Sequence, residues 1–213
     1  MSKLSKVIQY VQAQLETEKS GHDFLHAQRV AHLAEKIIQT DQLSVNQELV
    51  LSTAYLHDVI DDKVVLDVEQ AVANLRAFLL SIDFSLAEVS EMLSIIQSMS
   101  FSKELSEGQQ SLSLAGQIVQ DADRLEALGA IGILRTAYYG GSKGHPIYDE
   151  TMLPKSYETK ADYRQGSTVI NHFYEKLFLL PERMHTAYAR QEGERRKVLM
   201  EAFLEEFYQE WRV

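Results

Sequence analysis

Apolar residues recur at three- and four-residue spacings along almost the whole chain, which is a helical period, and no stretch alternates as a strand would. Leu4, Val7, Ile8, Val11 and Leu15 predict a first helix over residues 3–19. Asp23 can cap a second, over about 24–40, with Leu25, Val30, Leu33, Ala34, Ile37 and Ile38 on its apolar side. A third runs from about Val45 to Val59, and its Ala54, Tyr55 and Leu56 deliver His57 and Asp58 near its end. Further helices are expected over about 67–81 and 85–98, then a loop from Ser100 to Glu107. A long helical run over about 109–139 follows, and its glycines, Gly116, Gly129 and Gly132, are expected to permit close packing rather than to mark breaks. Residues 140–166 form the one long irregular stretch, roughly 25 residues, a length more often functional than merely connecting. Closing helices over about 167–180 and 182–208 complete an all-α bundle with no internal repeat.

Composition narrows the class. With 213 residues, 45% of them hydrophobic, the chain can bury one sizeable core, so a single domain over 1–213 is expected. There is no cysteine, which excludes disulfides and thiolate metal sites and leaves His, Asp and Glu as ligands. The net charge of -10, from 31 acidic and 21 basic residues, argues against binding a nucleic-acid backbone. A small phosphorylated substrate stays compatible, because a bound cation reverses the local field. The first 21 residues carry charges throughout, unlike a secretory signal, and no stretch approaches the ~18 apolar residues of a membrane span. A cytoplasmic protein is expected.

Three polar sets interrupt the apolar pattern. His22, His26 and Arg29 share a face of the second helix; Asp58, Asp61 and Asp62 share another by their spacing; Asp121, Asp123, Arg124 and Glu126 lie in an otherwise apolar helix. Buried carboxylates need a compensating partner, and a metal is one. Two imidazoles and two carboxylates suit a borderline divalent ion such as Mn, Fe, Co, Ni or Zn. The segment GGSKG at 140–144 lacks the spacing of a phosphate-cradling Gly-Lys-Ser/Thr loop.

The order His26, His57-Asp58, Asp123, within GHDFLHAQRV, AYLHDVIDDK, IVQDADRLEALGAIGILRTAYYGG and HFYEKLFLL, resembles the HD-domain metal-dependent phosphohydrolases. The resemblance is closer to small bacterial HD proteins related to nucleotide pyrophosphohydrolases, and it covers residues 21 to about 180. It implies an HD-domain helical bundle with its metal-site core over about 21–135. It also implies that His26, His57, Asp58 and Asp123 hold one divalent metal, with manganese preferred and Fe, Co, Ni, Mg or Zn as alternatives. Asp123 is preferred to Asp121 because the family's last ligand sits in an Ala-Asp-Arg-Leu-like context, here Ala122–Leu125. Asp121 then serves as a hydrogen-bond partner or support.

Asp61 and Asp62 stand where related nucleotide-cleaving enzymes orient water or a second ion, with helix-end capping as the alternative for Asp61. Arg29, Lys63, Arg124 and Arg135 are candidate phosphate ligands; each could instead form a salt bridge, and Arg124 suits an ion pair inside the bundle. Asp121, His145, Tyr148, His172 and Lys176 form a second tier, while His22, His32 and His185 are not expected to be ligands. The implied activity is hydrolysis of nucleoside or deoxynucleoside triphosphates to monophosphate and pyrophosphate. A nucleotide monophosphatase or a guanosine-tetraphosphate-type hydrolase would use the same centre, and a nucleotide-sensing regulatory domain is the non-catalytic alternative. The expected partner is a small nucleotide, with no nucleic acid and no membrane, in a monomer or homodimer.

Overall fold

Short polar side chains start most of the helices. In the computed structural model, which describes residues 1–16, 23–62, 64–101, 104, 108, 111–157 and 167–212, Ser2 caps α1 (Lys3–Gln14) and Asp23 caps α2 (Phe24–Thr40). Asn46 caps α3 (Gln47–Leu56), Asp67 caps α4 (Val68–Ser81), and Ser85 with Glu88 forms a capping box on α5 (Leu86–Ser98). Ser113 caps α6 (Leu114–Glu126), α7 spans Gly129–Ser142, Thr168 caps α8 (Val169–Glu175), and α9 spans Ala187–Trp211. Each capping oxygen accepts one of the backbone N–H groups that a helix start leaves without a partner. Among the described residues there is no strand, so the architecture is all-α. No described helix is long and apolar enough to cross a membrane.

Helix α2 lies at the centre and packs chiefly against α3 and α6. Its Ala27, Val30, Ala34 and Ile37 are fully buried, as are Leu56 of α3 and Ile118, Val119, Ala122 and Leu125 of α6. Alanines at the crossings let the backbones approach, so polar residues on the three facing surfaces can meet. Helices α8 and α9 close over the other side of α6 and α7.

Several boundaries differ from the sequence-based expectation. Helix α3 ends at Leu56, with His57 as its C-cap and a run of turns through Ile60, rather than continuing to Val59. Helix α1 stops at Gln14, and residues 17–19 of its expected range lie outside the described part. The expected loop at 100–107 falls largely outside it too, but Phe101 and Glu104 are helical. The long run over 109–139 is two helices. The chain bends at Ala127 and Leu128, and Gly129 takes φ +76°, a left-handed conformation that favours glycine. Gly129 therefore marks a break, whereas Gly116 serves close packing, its absent side chain admitting Ile95 of α5.

Gly132 serves the same bend: a Cβ there would lie 2.2 Å from the Ala127 carbonyl oxygen. Gly132→Ala is expected to push α7 off α6 and cost about 2 kcal/mol of stability, read by chemical denaturation. Helix α7 then continues into the stretch expected to be irregular, as far as Ser142. Residues 146–147 accept backbone hydrogen bonds from Val169 and Ile170, while residues 158–166 lie outside the described part. The closing helices are a short α8, two 3-10 turns at Leu177–Leu179 and Pro181–Arg183, and the long α9.

Candidate metal centre

His26 sits in the first turn of α2, where its own backbone N–H is capped by Asp23 at 2.8 Å. His57 and Asp58 leave the end of α3, and Asp123 lies in the last turn of α6. Since α2 packs on both neighbours, the four side chains converge. The two imidazole Nε2 atoms are 3.2 Å apart. Asp58 Oδ2 lies 3.3 Å from Nε2 of His26 and 3.2 Å from Nε2 of His57. Asp123 Oδ1 lies 3.5 and 3.7 Å from the same two atoms. His26, His57 and Asp58 are buried, whereas the Asp123 side chain is 37% exposed, so the cluster opens toward solvent at Asp123. His57 closes α3 with helical backbone angles and Asp58 follows it, and the Asp58 carboxylate still comes within 3.2 Å of the His57 imidazole.

The far side of each imidazole sets its protonation. His57 Nδ1 donates to the Ala54 carbonyl at 2.8 Å, and His26 Nδ1 donates to Glu126 Oε2 at 3.0 Å. A carbonyl can only accept, and Glu126 is held ionised, so both neutral rings present bare Nε2 lone pairs to each other. Two lone pairs 3.2 Å apart, beside two carboxylates, need a cation between them. The donor set therefore fits a divalent metal, and His26, His57 and Asp58 alone already form a compact three-donor group. Without metal a proton fills the need: burial opposes charge on His57, yet Asp58 first and then Asp123 carry its imidazole up to about 9.

Proton and metal compete for the same nitrogen. Loading metal-free protein near neutral pH is therefore expected to release a proton, and divalent-ion affinity should climb as pH rises toward about 9. Calorimetry across pH and buffer ionisation enthalpy reads both. An affinity that stays flat with pH would show that His57 is not a ligand.

Behind His26 lies Glu126, 1% exposed. Its Oε2 accepts from His26 Nδ1 and from Arg135 Nη1, and its Oε1 accepts from Arg29 Nε at 2.5 Å. Burial works against its charge, but His26, then Arg135 and Arg29, outweigh that and hold the carboxyl down at about 2. Sequence reasoning grouped Glu126 with the acidic residues of α6 but gave it no role. The available signal was its place three residues after Asp123, on the same face. Arg29, likewise three residues after His26, and Arg135 of α7 are both brought to this group.

Other candidates go elsewhere. Arg124 is buried, and its guanidinium donates to Glu104 and, at 2.6 Å, to the Arg183 carbonyl. It fills the bundle-internal ion pair, not a phosphate site. Asp121 is fully buried and accepts from the His185 and Thr186 backbones and the Thr186 hydroxyl, all within 3.0 Å. It anchors the start of α9. Burial pushes its carboxyl up against those hydrogen bonds. Tyr148 packs its ring against Phe207, Tyr208 and Trp211 at the far end of α9.

His145 lies in the turn after α7, donating its backbone N–H to Gly140. His172 is part-buried on α8, and Lys176 sits over the Phe101 ring at 5.4 Å. Asp61 and Asp62 follow Asp58 in the turn after α3, Asp61 half-buried and Asp62 exposed, with the Asp61 N–H bonded to the Asp58 carbonyl at 3.1 Å. Lys63 lies outside the described residues.

Comparison with known proteins centres on the same helices. The family profile described as HD domain matches residues 24–128, which contain all four converging donors. The chain is 33% identical over 195 residues to YpgQ of Bacillus subtilis (strain 168), covering 92% of this chain and 87% of that protein. A crystal structure from Lactobacillus plantarum aligns over 99% of this chain and 97% of its own, at 41% identity and TM-score 0.89. An HD-superfamily hydrolase from Bacillus thuringiensis aligns over 99% and 97%, at 36% identity and TM-score 0.75. Bacillus subtilis YpgQ in complex with ADP aligns over 97% of each chain, at 29% identity and TM-score 0.76.

Proposed function

The chain belongs to the HD-domain family, and from that premise we propose that it is a metal-dependent phosphohydrolase acting on nucleoside or deoxynucleoside triphosphates. The observation that carries the reading is the pair of imidazole Nε2 atoms 3.2 Å apart, both fixed as acceptors by what their other nitrogens donate to. His26, His57, Asp58 and Asp123 would hold one divalent ion, manganese in our preferred reading. When bound, such an ion lowers the pKa of water and polarises a phosphoryl oxygen. The complex of YpgQ with ADP supports a nucleotide ligand.

The chain's own residues divide the remaining work. Arg29 and Arg135, partly exposed at the edge of the cluster, offset charge on phosphate oxygens. Asp61 or Asp62, on the turn after Asp58, accepts the proton of the attacking water. The water oxygen attacks the α-phosphorus, the bond to the α–β bridging oxygen breaks, and the electron pair leaves with pyrophosphate. Nucleoside monophosphate is the other product.

The test is phosphate and pyrophosphate release by metal-stripped protein resupplied separately with Mn, Co, Mg, Ni or Zn. The panel holds NTPs, dNTPs, NMPs and guanosine tetraphosphate. Metal-dependent pyrophosphate from triphosphates is expected. Orthophosphate from monophosphates would move the reaction class, and stoichiometric metal without turnover on any substrate would favour a sensing role.

A further inference from the structure

Glu126 spends both carboxylate oxygens on three donors from two helices. His26 and Arg135 share Oε2, and Arg29 takes Oε1. It is 1% exposed, so no water competes for these bonds. Within this group one carboxylate pairs with two guanidinium groups. Arg29 is held through Nε only, and its two terminal nitrogens have no partner among the described residues. Its side chain is 36% exposed.

We infer that Glu126 is a positioning residue that couples the metal ligand His26 to an arginine pair, Arg29 and Arg135, which binds the phosphates. The inference rests on the phosphohydrolase reading above. The coupling works through the shared oxygen. A cation on His26 Nε2 makes Nδ1–H a stronger donor, drawing charge from Oε2 and loosening its hold on Arg135. Conversely, an oxyanion on the arginines leaves Glu126 a better acceptor for His26, which makes His26 a better ligand. Linkage requires the two effects to be equal.

The experiment measures Mn2+ binding to metal-free full-length protein by calorimetry, with no nucleotide present. Glu126→Gln is expected to weaken Mn2+ binding by about 10-fold or more. Arg135→Gln, which removes the guanidinium that donates to Glu126 Oε2, is expected to change Mn2+ affinity several-fold in the native background. It should have no effect when combined with Glu126→Gln. An arginine effect that persists undiminished in the Glu126→Gln background would mean that Arg135 acts through space, and the coupling falls. Native Mn2+ affinity in Glu126→Gln would also overturn it. If Glu126→Gln does not fold, Glu126→Asp carries the cycle, since it keeps the charge but is one methylene too short for the shared contact.

None of these readouts depends on turnover. Intact coupling in a protein that hydrolyses no triphosphate would therefore sink the substrate reading and leave Glu126 in place. Turnover without coupling would do the reverse.

Discussion

Asp58→Ala is expected to yield a folded helical protein that has lost its divalent metal and at least about a thousandfold in hydrolysis. The rate loss corresponds to the several kcal/mol that a Lewis-acidic ion supplies to a phosphoryl transition state. Retention of the fold follows from position. Asp58 stands in the turn after α3 and spends its carboxylate on the two imidazoles, not on the apolar contacts of the core. The clearest readout is therefore ligand-linked. Metal present at a thousand times its Kd stabilises a native site by about 4 kcal/mol, so Mn2+ should raise the Tm of the native protein and leave that of Asp58→Ala unchanged. An unchanged metal-induced shift in the variant would remove Asp58 from the centre.

Arg124→Leu is expected to do the opposite. Its guanidinium is buried between Glu104 and the Arg183 carbonyl, and Arg183 itself reaches Glu104 at 3.3 Å. Deleting one partner of a buried pair strands the other, at a cost of about 3–5 kcal/mol. The variant should show a much lower Tm, with Mn2+ affinity and KM within a factor of about two of native for the surviving folded protein. A raised KM with an unchanged Tm would instead return Arg124 to the phosphate site. The two substitutions thus separate the metal cluster, to which α6 contributes Asp123, from the buried ion pair of its neighbour Arg124.

That separation is where sequence reasoning reached its limit. Arg29, Arg124 and Arg135 were all candidate phosphate ligands with a salt bridge as the alternative, and Arg29 and Arg124 stood nearest to proposed metal ligands in sequence. On a helix the residue next to Asp123 turns about 100° away from it, and a long flexible side chain ends wherever a buried carboxylate waits. Glu104, which claims Arg124, lies 20 residues away, and Glu126, which claims Arg29, lies 97 away. Asp121 was separable from Asp123 by the family's Ala-Asp-Arg-Leu-like context and by the two-residue spacing. Its actual partners, His185 and Thr186, lie at the start of a helix more than 60 residues on.

Local rules account for what the sequence by itself determined. The caps Ser2, Asp23, Asn46, Asp67, Ser85 and Ser113, followed by apolar residues at helical period, set the existence and most boundaries of the first six helices, because those interactions close within four residues. The order of His26, His57-Asp58 and Asp123 carried the family in the same way. Tertiary structure alone decided the bend at Ala127–Leu128, where Gly129 meets Arg196 and Met200 of α9 and Gly132 meets a backbone carbonyl. Helix propensity registers such glycines as a cost of about 1 kcal/mol each, without saying whether the chain packs through them or turns. Only the packed neighbours tell the two apart. By starting α7 at that bend they also bring Arg135 to Glu126, and with it one side of the site.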